Sequence, residues 1–305
     1  MMSFEEFAGR LEKDVKAFMN GENVTVKRKD VELNGSPRKL LVVNWSGSGN
    51  GISVDLEMLY SKLLPNADYM KVAFKVITKV HSFMTYGEKL KTDFMKDYSQ
   101  VKIMLNVEVI NAERNKMKLA QITHTDMMDM AFIYGVEMDV GEGTAKIRIK
   151  DELLRKWGIS KQQLHDDAMA NTARMHPLEL EELENMIART LGMEDVIFPK
   201  SKNNVYVATN SEYKAGAVTV FYPMVMDMIC ESVRGDCIVI PSSVHEMLIM
   251  PDDGNRTMEE IRNMLAEANA KNVPEGEVLS DNIFRYSRER HSFEMIDEGG
   301  AGDKS

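Results

Sequence analysis

The sequence predicts an α+β fold: helices mixed with mostly antiparallel sheets, in two halves that are each a sheet packed by helices. Three observations predict it. Apolar/polar alternation of period 2, as in Thr144 to Ile149, marks half-buried strands between helical stretches. Turn signals stand between strand candidates: Asn34-Gly35-Ser36-Pro37 and Gly141-Glu142-Gly143. Capping-box spacing at Ser3/Glu6, Ser160/Gln163 and Thr257/Glu260 opens helices in both halves.

In chain order, Ser3 to Met19 reads as a helix with Phe4, Phe7, Leu11, Val15 and Phe18 on one face, stopped by Asn20-Gly21. Val24 to Leu33 and Lys39 to Trp45 follow as a hairpin. Lys27, Arg28 and Lys29 suit a solvated edge strand, where lysines discourage further pairing. Ser46 to Gly51 is Gly-rich but lacks the Lys-Ser/Thr of a phosphate-binding loop, so it reads as a turn. Ile52 to Leu64 fits a strand or a short helix. Asp68 to Tyr86 is expected as a helix with Met70, Ala73, Phe74, Ile77, Val80 and Met84 inward, His81 beside them. Strand character follows over Val101 to Ile110, and a polar helix or turn over Asn111 to Lys118.

Met127 to Met138 and Thr144 to Ile149 are strand candidates. One helix starts at Ser160, with Leu164, Ala168 and Met175 on its buried side. A second is expected from Pro177, whose fixed φ suits a first helical position. Its acidic start, Glu179 and Glu181, suits the helix dipole, and Leu183, Met186, Ile187 and Leu191 would face inward. The polar loop Phe198 to Asn204 divides an N-terminal α+β region, 1–198, from a C-terminal one, 199–297. Val205 to Thr209 is a strand, Ala217 to Tyr222 is ambiguous, and Met224 to Val233 is a helix. The strands of Asp236 to Pro251 precede a helix from Thr257 with Met258, Ile261, Leu265 and Ala268 inward. Ile283 to Tyr286 and Ser292 to Ile296 are final short strands, and 298–305 is a disordered tail.

Composition narrows the function. With 305 residues, 44% apolar and 28% charged, the chain has the make-up of a soluble globular protein and the length for about two domains. A net charge of −10 argues against nucleic acid as a partner, since phosphate binding rests on Lys and Arg, and against anionic membranes. Two cysteines, Cys230 and Cys237, fit neither a CxxC motif nor a disulfide framework, so a reducing cytoplasm is expected. The N-terminus lacks signal-peptide organisation, and no apolar run reaches the ~20 residues of a membrane span. The 25 methionines recur at apolar spacings and read as core filler.

Candidate chemistry centres on Asp236 to Pro251, DCIVIPSSVHEMLIMP. Pro241 breaks a buried strand, and the strand pattern resumes at Val244. Alternation there places His245 with Ser243, Met247 and Ile249, and Glu246 on the opposite face. Ser243 beside His245 is the minimum for an activated serine, but no nucleophile elbow or third carboxylate accompanies it. The alternative is that the serines satisfy backbone groups at the break and His245 is a partly buried hydrogen-bonding residue. His124, Asp126 and Asp129 lie close in sequence and could share a metal, without a second cluster to complete the set. In His165-Asp166-Asp167, neighbours on a helix point about 100° apart and cannot chelate one ion alone.

Ile-Pro-Ser-Ser-Val-His-Glu at 240–246 resembles the signature of a bacterial family of unknown function, numbered 5688. Further matching pieces are Asn111 with Asn115, His124 with Asp129-Met130-Ala131, Trp157-Gly158, Asn171-Thr172, Thr209-Asn210 with Gly216-Ala217, and Leu279-Ser280. Thr123 stands where a proline is expected. The C-terminal half is similar in outline to another such family, numbered 1444. The resemblance implies a bacterial, cytoplasmic α+β protein and supplies no catalytic residues.

The expected function is a non-catalytic protein-binding or regulatory one, with a sheet or groove engaging a protein partner and no cofactor. The alternative is a hydrolase that uses Ser243 and His245, or a metal near His124 or His165.

Overall fold

Ser3 opens the first helix in the way its sequence predicts. Its hydroxyl accepts from the Glu6 N–H while the Glu6 carboxylate accepts from the Ser3 N–H at 2.7 Å, which satisfies two otherwise orphaned donors. The computed structural model describes residues 2–33, 36–45, 51–63, 68–89, 92–139, 144–190, 205–271 and 273–296. These form two compact units, Met1–Asp97 with Glu137–Lys146, and Tyr98–Val136 with Ile147–Ser305.

The first unit holds α1 (Phe4–Phe18), β1 (Val24–Leu33), β2 (Ser36–Trp45), β3 (Gly51–Asp55), α2 (Leu56–Leu63) and α3 (Tyr69–Lys89). Its antiparallel sheet has the order β1-β2-β3, and Leu33 opposes Ser36 at the first turn. Asn34-Gly35, 46–50 and 64–67 lie outside the described residues. The ambiguous stretch from Ile52 is strand and then helix: the Asp55 carboxylate caps α2 by accepting from the Met58 N–H at 2.9 Å. Phe7, Leu11 and Val15 of α1 meet Val26, Leu41 and Val43 of the sheet, and Leu56, in one apolar core. Of the basic run on β1, Arg28 is taken up by α1, with Glu5 at 2.9 Å and Glu12 at 3.0 Å.

The expected inward face of α3 is corrected at Met70 and Phe74, while Ala73 and Val80 are buried as expected. Tyr69, Ala73, Val76 and Val80 are buried, whereas Met70 and Phe74 are 60% and 71% exposed. Both stripes repeat at helical spacing, and packing chooses between them. The chosen stripe lets the Tyr69 hydroxyl reach Asp14 at 2.6 Å and its ring lie under Arg10. His81, expected beside the core, is exposed and meets the edge of Phe18.

From Tyr98 the chain forms α4 (Tyr98–Lys102), β4 (Leu105–Asn111), α5 (Lys116–Leu119), β5 (His124–Met127), β6 (Met130–Asp139) and β7 (Thr144–Arg148), of which the end of β6 and the start of β7 fall in the first unit and the rest in the second. The strand expected from Met127 is thus a hairpin that turns at Met128, whose φ is 56°. β4, β6 and β5 pair in that order, and β7 also pairs with β6. Next come α6 (Asp151–Trp157), α7 (Lys161–Met175), β8 (Leu178–Glu182), α8 (Leu183–Thr190), β9 (Tyr206–Asn210), a 3-10 helix (Gly216–Phe221) and α9 (Val225–Val233). The chain closes with β10 (Cys237–Ile240), β11 (Met247–Pro251), α10 (Met258–Lys271), β12 (Phe284–Ser287) and β13 (Ser292–Met295). The larger sheet, antiparallel in its registers, has the order β13-β12-β10-β11-β9-β8.

The helix expected from Pro177 is corrected as well. Leu178–Glu182 is a strand, with Leu180 opposite Ala208 of β9, and the helix starts only at Leu183. Pairing with a strand distant in sequence outweighed the local helix signals. β8 and β9 therefore join residues on both sides of the expected 198/199 division. The loop expected there, Phe198 to Asn204, lies outside the described residues, as do 140–143 and the tail.

Side-chain hydrogen bonds tie the second unit together. The Asn171 amide donates to Ile103 O, just before β4, and to Leu105 O, and Thr172 Oγ1 accepts from the Val107 N–H, so α7 satisfies backbone groups at and before the start of β4, an outer strand. Asn111 donates to Leu279 O at 3.0 Å. Asp129 accepts from the Ser280 hydroxyl and, at 2.9 Å, from the Asn282 amide.

Candidate functional site

Pro241 has no N–H to give a ladder, and the β10–β11 pairing ends at Ile240 opposite Leu248. Residues 241–246 form a loop, which corrects the strand expected from Val244 and the alternation argued from it. The loop is closed by the Ser243 N–H donating to Glu246 O at 3.1 Å. Ser243 Oγ accepts from the main-chain N–H of His245 at 3.1 Å.

His245 is held on three sides. Its Nδ1 accepts from the Ala215 N–H at 3.0 Å, its carbonyl accepts from the Thr209 hydroxyl at 2.8 Å, and its Nε2 lies 3.4 Å from Glu277. In the neutral ring the proton then sits on Nε2, facing Glu277. The neighbouring Val244 N–H donates to Glu277 O. Burial pushes the Glu246 carboxyl above its ordinary value, with His245 and a hydrogen bond from Ser242 acting the other way.

The segment that receives His245 is itself unusual. The Asn210 side chain accepts from the Glu212 and Lys214 N–H groups and donates to Lys214 O. That bends the chain so that Tyr213 and Ala215 both take φ 52°. Gly216 then passes so close that a Cβ would lie 2.4 Å from Thr209 Oγ1, 2.6 Å from Asn210 N and 2.7 Å from His245 O. Only glycine fits there.

The metal candidates are not brought together. His124 Nδ1 lies 3.1 Å from Ile122 O, its Nε2 3.7 Å from the exposed Asp126, and Asp129 is engaged by Ser280 and Asn282. His165 Nδ1 is 2.9 Å from the Tyr134 hydroxyl, which donates its one proton to Thr125 Oγ1, so Nδ1–H is the donor to Tyr134. Burial lowers the His165 pKa and pushes Tyr134 up to about 12. Among the described residues no three His, Cys, Asp or Glu side chains are placed to hold a metal ion. No described helix is long and apolar enough to cross a membrane.

Sequence reasoning missed a groove beside β8. Glu179, Leu180, Glu181, Met186, Arg189, Val207, Thr209 and Tyr213 enclose about 210 Å³. Leu180 and Tyr213 are 41% and 45% exposed; Ile187 of α8, expected to face inward, is 45% exposed. Arg189 pairs with Glu181 at 2.9 Å and lies over the Tyr213 ring. Among the described residues no strand pairs with the outer edge of β8. The Leu178/Leu180 alternation was the available signal, hidden by the helix-like Pro177 and its acidic neighbours.

The groove and the His245 loop share Asn210 and Thr209 as supports. Several polar motif residues do the same kind of work: the side chains of Asn111, Asn115, Asn171, Thr172, Thr209 and Asn210 all hold main chain in place. Thr123, in the expected proline position, donates its N–H to Ile149 O at 2.8 Å and its hydroxyl to Asp151 at 2.6 Å; a proline could do neither. No curated protein and no solved structure matches the chain. For the expected likeness of the C-terminal half to the 1444 family there is no support. The model of the family of unknown function DUF5688 matches residues 4–288, and the chain belongs to that family.

Proposed function

We propose that the protein is a non-catalytic binding or regulatory protein that receives an extended, basic segment of a partner protein at the groove beside β8. The observation that carries this reading is exposed Leu180 and Tyr213 lining a groove at the outermost described strand of a six-stranded sheet. An outer strand can take up another strand through main-chain hydrogen bonds, with neighbouring pockets reading side chains. Glu179, Glu181, Glu182 and Glu184 give this edge an acidic character that steers basic partners. The Asn210 and His245 hydrogen bonds fix the lip that carries Tyr213, which lowers the ordering cost of binding.

What weighs against a Ser243–His245 hydrolase is the use to which both groups are put. Ser243 Oγ accepts a main-chain proton, and His245 Nδ1, the lone pair a base would use, is taken by Ala215. The test is co-purification from native lysate. A stoichiometric protein partner is expected with the wild-type chain and is lost with Leu180→Lys. A chain that stays partnerless, or a partner indifferent to Leu180→Lys, contradicts the reading.

A further inference from the structure

Cys230 lies in α9 and Cys237 starts β10, and their Sγ atoms are 3.0 Å apart, both buried. Two other contacts press the helix against the sheet at this place. Asp227, three residues before Cys230, accepts from the Tyr286 hydroxyl of β12 at 2.7 Å and lies 2.7 Å from Nδ1 of His291. After the helix, the Gly235 N–H returns to Cys230 O at 3.1 Å, and Arg234 takes φ 60° to turn the chain into β10. The fold thus delivers two thiols, seven positions apart in sequence, into direct contact. A disulfide S–S bond is about 2.05 Å, so bond formation requires the sulfurs to approach by only about 1 Å.

We propose that Cys230 and Cys237 form a redox-active dithiol, converted to an intramolecular disulfide by a low-molecular-weight disulfide such as oxidised glutathione. Cys230 is the attacking sulfur. The two thiols are hydrogen-bonded, and once Cys230 is a thiolate the Cys237 thiol donates to it, which lowers the Cys230 pKa, while that same bond and burial hold Cys237 protonated. The Cys230 thiolate attacks one sulfur of oxidised glutathione. It forms a mixed disulfide and expels one glutathione thiolate, which takes up the proton Cys230 lost. Cys237 then gives up its proton as its sulfur attacks Cys230 Sγ. The second glutathione leaves as thiolate and takes that proton. Two protein thiols are oxidised to one disulfide, and one oxidised glutathione is reduced to two thiols. Entry to the buried pair requires local opening of α9, a nine-residue helix that exposes Met228 on its outer side and is preceded by the exposed Met224.

Because the fold holds the thiols together, it favours the disulfide by the same factor that the disulfide favours the fold. The full chain is equilibrated with glutathione redox buffers, from both the reduced and the oxidised side, once in native buffer and once in concentrated urea. Free thiols are then alkylated and counted by intact mass. In native buffer both alkylation sites disappear together within monomers. The equilibrium constant for oxidation exceeds that in urea by on the order of tenfold or more. The oxidised chain melts higher by roughly 5 °C, and Cys230→Ser forms no intramolecular disulfide. The proposal is overturned if the native constant equals or falls below the constant in urea. It is equally overturned if both thiols stay alkylatable from either starting side, or if a single glutathione adduct is the end state.

Discussion

His245 accepts at Nδ1 the main-chain N–H of Ala215, 30 residues earlier, at 3.0 Å. That bond joins the β10–β11 loop to the bent segment 211–215, and it commits the imidazole that looked most like a catalytic base.

His245→Ala removes the acceptor of a part-buried backbone donor. The expected loss of stability is about 1–2 kcal/mol, between that of a lost hydrogen bond and that of a fully buried unsatisfied group. Ser243→Ala removes an acceptor from the shorter loop and is expected to cost about 1 kcal/mol. Urea unfolding of the two variants checks the ranking; equal stability of His245→Ala and wild type would count against the bond.

Two glycines give opposite results. Gly216→Ala drives a methyl into Thr209, Asn210 and the His245 carbonyl, largely backbone atoms that cannot move aside. The expected cost is about 3 kcal/mol. Gly9 lies inside α1, and a methyl added there would meet nothing within 4 Å. Gly9→Ala is expected to stabilise by about 0.5–1 kcal/mol. Thermal melts of both variants read the two signs directly.

His165 contributes a pH dependence whose sign is set by burial. Its folded pKa lies below the ordinary 6.5. Between the lowered value and 6.5 the unfolded chain binds more protons than the folded one. The contribution is complete above about pH 6.5 and is lost as pH falls through the folded value. His165→Gln, which does not titrate, should lose less melting temperature than wild type between about pH 7.5 and 5. Identical losses would show that the ring is not held neutral.

The choice of stripe on α3 is measurable too. Val76→Ala empties buried space and should cost about 1–2 kcal/mol, whereas Phe74→Ser, on the exposed stripe, should stay within about 0.5 kcal/mol. A large loss at Phe74 would return the helix to the orientation its sequence first suggests.

That helix shows where the sequence stops being legible. α1 could be read at its start, marked by Ser3 and Glu6, and along its inner face at Phe7, Leu11 and Val15, but Phe18, expected on that face, is 51% exposed at the last turn. α3 carries two overlapping stripes that share Ala73 and Val80, and the reach of Tyr69 to Asp14 goes with the one that is buried. Pro177 and Glu179 suit a helix start as well as an outer strand; pairing with β9, beyond the next helix, decides. The candidate site was legible as a place and not as a geometry. The Pro241 break was visible, but the partners of His245 are Ala215, Thr209 and Glu277, all far from it in sequence and none signalled locally.

Amide hydrogen exchange at Ala215 tests the account most directly. If His245 holds this N–H, Ala215 is strongly protected in the wild-type chain. In His245→Ala, protection falls across 211–215 while β10 and β11 keep theirs. An Ala215 amide that exchanges at open-chain rates in the wild type, or keeps its protection without the imidazole, would contradict it.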